Sequence, residues 1–300
     1  MAIVDHTSRE AAVSPARTFF GHGDKPKGSM AVRYAGRLFF LWTVLYCCGS
    51  AIERGDLVME DQSRPEPPSY REALPRPNPP AFNLPTSLLV SLLLIWGIFG
   101  IEAFLLPDWL AEQVILTFAF IPVRYVYPLS EQGFEWLWTP VTYSLLHGGL
   151  EHIAFNSLWL AAFGAPVVRR IGTKRFIVFW ILSAAASAGL YVCFHWGEAS
   201  LMVGASGVIS ALMGAACRFA FPPRGQDTRR DAHLYPRLSI LGAFQSRMVV
   251  VFTAAWLFGN LLFVFGIPIV DAGAGGIAWE AHIGGFLFGF LLFGAFDPGK

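Results

Sequence analysis

Ser206 stands between two glycines in "LMVGASGVIS" (201–210), inside an otherwise apolar run where a hydroxyl with room around it has little packing value. A serine oxygen is a poor nucleophile unless a base takes its proton during attack, and His282 of "WEAHIGG" is a base of the right type. No aspartate occupies a matching position to orient that imidazole, so the chemistry implied is that of a Ser/His dyad. Attack on a carbonyl also needs donors preorganised around the developing oxyanion. "HGGLEHIAFN" offers them, because His152 and Asn156 are four residues apart and share one helical face. A serine at a helix start adds its own backbone N–H. His147 is nine residues from Asn156, about half a turn out of phase, so with Gly148 and Gly149 after it the residue belongs to the turn before the helix.

The elements that must hold these groups are membrane helices. The chain is 54% hydrophobic and 14% charged, with a mean hydropathy of +0.50, which places it in a bilayer. A net charge of +1 and the lack of basic clusters interleaved with aromatics set nucleic-acid binding aside. The four cysteines (Cys47, Cys48, Cys193 and Cys217) have no framework spacing and read as small apolar filler.

Apolar stretches recur at about 86–106, 140–164, 176–196, 200–217, 248–270 and 276–296. The expected fold is an all-α polytopic membrane protein, a compact bundle of six transmembrane helices over 86–296 with 297–300 as a short tail. The segment 107–138, rich in aromatics and acids, reads as partly embedded and interfacial. "RRIGTKR" (169–175) carries four bases, and the connection after the fourth span carries Arg218, Arg224, Arg229, Arg230 and Arg237 against Asp227 and Asp231. Both connections belong in the cytoplasm, so both ends of the unit are cytoplasmic and spans two, four and six enter from the other side. Ser206 and His282, each some six residues in, then reach on the order of 10 Å below the surface, in the same layer as His152. A hydrated cavity opening to the non-cytoplasmic side accounts for polar groups from three distant segments at one depth.

Small residues provide the close packing this layer requires. Gly207, Ala211 and Ala215 run at four-residue spacing and Gly285 with Gly289 form a GxxxG, so two backbones can approach until Ser206 meets His282. Gly204 is expected to free the turn before the serine, and Gly207 to admit the sixth helix. "HGGLEH" is not HExxH, and Glu151 directly precedes His152 and points to another face, so no metal site is expected. A transporter with a mid-membrane site is disfavoured by the position of the polar groups toward one surface. Glu102 and His195 read as snorkelling or capping residues, Asn260 as an interhelical hydrogen bond, and Glu280 as an interfacial loop contact.

These motifs resemble those of the rhomboid intramembrane serine proteases. "HGGLEHIAFN" is similar to their HxxxxHxxxN signature, "GASG" to their serine motif, and "AHIGG" followed by Gly289 to their base-bearing helix. The resemblance spans about 86–296 and implies a rhomboid-like six-helix fold with a catalytic dyad of Ser206 and His282. It implies an oxyanion hole to which His152, Asn156 and the Ser206 amide contribute, with His147 near the hole or the outer loop. It further implies single-span or polytopic transmembrane protein substrates cut within or near their spans, no cofactor, and a movable gate at the fifth span. Non-catalytic scaffolds that resemble this family typically lack the serine or the histidine, whereas this chain keeps both. One departure concerns the family's Trp-Arg pair before the second span, where Trp138 is here followed by Thr139.

Residues 1–85 match nothing in that core and read as a cytoplasmic or linker region. Residues 65–85 carry eight prolines, the signature of an extended linker. The apolar stretch within 38–52, preceded by Arg33 and Arg37, is continuous only over 38–48, too short for a core of roughly 30 Å. A signal-like segment, an interfacial helix and an additional span are all open for it, as is an internal start at Met30.

Overall fold

The basic connection expected at 169–175 shrinks to a single residue. In a computed structural model, which describes residues 84–221, 232–264 and 278–299, one helix runs from Leu150 to Phe194 and only Gly172 within it leaves helical dihedrals (φ 76°, ψ 165°). That positive φ suits a residue without Cβ, so two apolar helices meet at a sharp corner without a loop. The N-terminal expectations, including the stretch 38–52 and Met30, lie outside the described residues.

Eight α-helices are found among the described residues: α1 (Thr86–Phe104), α2 (Asp108–Phe118), α3 (Glu135–Thr142), α4 (Leu150–Phe194), α5 (Ser206–Ala216), α6 (Ile240–Gln245), α7 (Arg247–Val264) and α8 (Trp279–Phe296). No strand occurs among them, and the single antiparallel bridge pairs Phe120 with Met202. By length and hydropathy α1, α4 and α8 can cross a membrane, and α5 and α7 are shorter apolar helices. α1 buries only Leu88, Ile95 and Phe99 and turns residues such as Leu93 outward (64% exposed), a face suited to lipid.

Two expected spans begin later than their apolar runs. The second run starts at 140, yet α4 begins at Leu150, because residues 135–142 form the separate α3, a 3-10 turn follows over Tyr143–Leu145, and two glycines precede Leu150. His147 therefore sits in the turn before the helix. The fourth run starts at 200, yet α5 begins at Ser206. Met202 exchanges both backbone hydrogen bonds with Phe120 (2.9 and 3.1 Å), and Gly204 has a φ of 119°.

α5 is the centre of the bundle. Every residue from Gly207 to Ala216 is buried, against α4 on one side and α8 on the other. Its 11 residues give a length of about 16 Å, roughly half of a bilayer's hydrocarbon thickness.

The end of the bundle opposite Ser206 is held by buried arginines. Arg170 makes a two-pronged pair with Asp297 (3.1 and 2.9 Å) and donates to the carbonyls of His233 and Tyr235. Arg218, at the end of α5, donates to the Leu238 and Phe290 carbonyls and so ties α8 to the chain before α6. Asp297, the first residue assigned to the tail, has a fully buried side chain and belongs to this clamp.

Candidate active site

Helix α8 reaches α5 through glycine. A methyl group on Gly285 would overlap the Gly207 carbonyl oxygen, one on Gly289 would overlap the carbonyl of Ala211, and one on Gly214 would overlap the Phe286 carbonyl. The two backbones touch at successive turns, which is closer than any pair of side-chain-bearing helices allows. The role expected of Gly207 needs correction, because its missing side chain faces α4 instead: a Cβ there would lie 2.7 Å from Ser187 Oγ and 3.2 Å from Tyr143 Oη. Gly285 and Gly289 supply the approach of α8, and the carbonyl of Gly207 is the surface they approach.

This contact brings the 76-residue separation between Ser206 and His282 down to a hydrogen bond. Ser206 Oγ and His282 Nε2 are 2.8 Å apart. On the far side of the ring His282 Nδ1 is 2.7 Å from Asn260 Oδ1, on α7, and the Asn260 amide donates to its own helix at Trp256 O (2.9 Å). Asn260 does make the interhelical hydrogen bond expected of it, but its partner is the imidazole that the sequence left without an orienting group.

Beside Ser206 lies a set of polar groups short of partners. Neither ring nitrogen of His147 nor the side-chain nitrogen of Asn156 has a hydrogen-bond partner among the described residues, although both residues are buried. His147 and His152 pack edge to face with ring centroids 5.2 Å apart. Gly204 faces the same space, since a Cβ on it would lie 2.6 Å from His152 Nε2 and 3.6 Å from Asn156 Nδ2. Buried donors without acceptors are costly in a resting protein and are expected where a ligand atom completes them.

The loop that frames this space is anchored twice. Gly204 donates to Tyr143 O (3.0 Å), and Tyr143 in turn donates through its hydroxyl to Ala184 O (3.0 Å), fixing the residues just before Ser206 on the second half of α4. Where the Trp-Arg pair is absent, Trp138 donates to Thr117 O (3.0 Å) and Arg124 takes the last carbonyls of α2, at Leu116 and Ala119. Arg124 lies 14 residues upstream of Trp138, and the two side chains bind carbonyls at the same end of α2.

Two outlying acid–base residues meet each other, and His195 is the C-cap residue of α4, as expected of a residue at the end of its span. α4 ends at Phe194, so His195 lies beyond the helix, where its two ring nitrogens meet Glu198 Oε2 (2.7 Å) and Glu280 Oε1 (3.1 Å). Glu280 contacts the connection after α4, as expected, through His195, but it does so from a buried position in the first turn of α8.

Comparison with known proteins agrees with this architecture. The model of the Rhomboid domain matches residues 135–296, which is more than half of the chain and holds every residue of the site. Rhomboid protease GlpG of Serratia proteamaculans (strain 568) is 29% identical over 166 residues, covering 55% of this chain and 50% of that protein. Rhomboid protease GlpG of Yersinia pseudotuberculosis (serotype I, strain IP32953) is 28% identical over 171 residues, with the same coverage of 55% and 50%. The chain thus spans about half the length of these relatives. With its apolar helices and this match, the chain is a multi-pass integral membrane protein and belongs to the rhomboid family.

Proposed function

We propose that the chain is an intramembrane serine endopeptidase that cuts transmembrane proteins within or near their spans, with Ser206 as nucleophile and His282 as base. The observation that carries this reading is the 2.8 Å bond between Ser206 Oγ and His282 Nε2, beside buried donors that have no acceptor. As Ser206 Oγ attacks a peptide carbonyl carbon, its proton passes to His282 Nε2 and the carbonyl oxygen becomes an oxyanion. The Ser206 amide, in the first turn of α5 with no intrahelical acceptor, donates to that oxygen together with His152 and Asn156. His282 then returns the proton to the leaving amine, the C–N bond breaks, and an acyl ester remains on Ser206. Water, deprotonated by the same imidazole, attacks the ester and releases the carboxylic acid.

Counting the two halves of α4 separately, the described helices supply six apolar segments, and the six-span topology is part of the proposal. So is its orientation, with both ends of the unit in the cytoplasm and the site opening to the other side, where the basic residues are few. α7 serves as the movable gate for substrates, and a tether between α4 and α7 that leaves cleavage intact would count against that part.

The deciding assay uses purified protein in liposomes with a single-span test substrate. Wild type cleaves it, and Ser206→Ala and His282→Ala do not. Cleavage that survives Ser206→Ala sinks the dyad, and loss of activity on zinc chelation would reopen a metal mechanism.

A further inference from the structure

We infer that Asn260 is a positioning residue that sets the tautomer of His282, so that the site depends on three residues, from α5, α8 and α7. The inference rests on the reading of Ser206 and His282 as nucleophile and base. The amide of Asn260 has only one sensible orientation. Its nitrogen donates to Trp256 O at 2.9 Å, and turning the amide over would set two oxygens against each other there. The side-chain oxygen therefore faces His282 Nδ1 at 2.7 Å, and because an amide oxygen can only accept, Nδ1 must carry a hydrogen.

The consequence falls on the other nitrogen. In the neutral ring with hydrogen on Nδ1, Nε2 presents a lone pair to Ser206 Oγ at 2.8 Å and can accept its proton. In the opposite tautomer Nε2 already carries hydrogen and cannot. Asn260 is 6% exposed, so bulk water is in no position to replace its oxygen, and Trp256 of α7 stacks on Phe286 of α8 in this state (centroids 4.5 Å apart, 20° between planes). Asn260 touches no reacting atom, and everything it contributes passes through the imidazole.

The test uses the full chain in detergent micelles with nitrogen-15 histidine, observed at about pH 8.5, above the ordinary imidazole range, and assigned with His282→Gln. Wild type is expected to show His282 with hydrogen on Nδ1, and Asn260→Leu a mixture containing the other tautomer. In parallel, a fluorophosphonate probe is expected to modify Ser206 about 10–100-fold more slowly in Asn260→Leu, whereas Asn260→Asp, which keeps an acceptor oxygen, retains most of the rate. Hydrogen on Nε2 in the wild type overturns the inference without any variant, as does an Asn260→Leu protein with unchanged nitrogen shifts and unchanged labelling. If wild type has the expected tautomer but Ser206 is never labelled, Asn260 still positions the ring and the dyad reading falls instead.

Discussion

Gly289 of α8 lies against Ala211 of α5 so closely that a methyl group on it would stand 2.6 Å from the Ala211 carbonyl carbon. Backbone cannot yield as a side chain tip can, so Gly289→Ala must push the two helices apart. Overpacking of this kind costs about 1–3 kcal/mol, and the separation falls on the helix pair that carries Ser206 and His282. Gly289→Ala is expected to lower the unfolding temperature in detergent and to reduce cleavage by more than tenfold. Gly189→Ala, at a position with open space around its Cα, serves as the control and should leave both unchanged. Equal behaviour of the two variants would remove the argument from close helix contact.

Gly204 combines a backbone requirement with a spatial one. Its φ of 119° lies where L side chains are strained, and a Cβ would enter the space in front of His152 and Asn156. Gly204→Ala should therefore cost stability and also block the donors, whereas Asn156→Ala should leave stability nearly unchanged and remove one donor only. For Asn156→Ala the expected fall in kcat is about 10²–10³-fold, the usual effect of deleting one oxyanion donor. A fall in substrate affinity alone, with kcat intact, would assign Asn156 to substrate binding instead.

How much of this was legible in the sequence differs by residue. Ser206, His282, His152 and Asn156 stood out because ionisable and polar groups are conspicuous in apolar runs, and periodicity placed His147 outside the helix. The break at Gly172 was visible only as a basic stretch, since four bases indicate a connection without saying that one glycine suffices. Asn260 was visible as a polar residue in an apolar helix, but its partner depends on the rotation of α7 against α8, which a helix with so few polar markers does not reveal. Arg124 binds backbone carbonyls, which carry no residue identity to search for. The face on which Gly207 is needed depends in the same way on which neighbour approaches it, and that is a property of the packed bundle.

Arg170 and Asp297 form a buried pair 127 residues apart, with side chains 1% and 0% exposed. Breaking a buried pair by removing one member is costly, and Asp297 also lies 3.7 Å from Arg237, so Asp297→Ala should destabilise the fold by about 3–5 kcal/mol. The pair is at the end of the bundle away from Ser206, so fluorophosphonate labelling of the folded fraction at low temperature should match wild type. Slower labelling of fully folded Asp297→Ala protein would mean that the clamp also sets the position of α8 at His282.

His195 joins Glu198 and Glu280 with both ring nitrogens, a geometry that only the imidazolium satisfies as donor to two carboxylates. Burial works to lower its pKa, but the hydrogen bonds it donates to Glu198 and Glu280 outweigh that, and the net effect is a value raised above 6.5. In the unfolded chain the group titrates near its ordinary value, so the folded state binds the proton more tightly. The stabilisation is then fully present below pH 6.5 and is lost as pH rises through the raised folded value. For a partly exposed cluster the expected difference between wild type and His195→Gln is about 1–4 °C in unfolding temperature at pH 5.5, shrinking toward zero by pH 9. Because Glu280 lies in the first turn of α8, the same protonation ties the end of α4 to the helix that carries His282. A difference that stays constant or grows with pH would show that the cluster acts through packing, with Tyr191 stacked on His195 at 4.3 Å as the contact responsible.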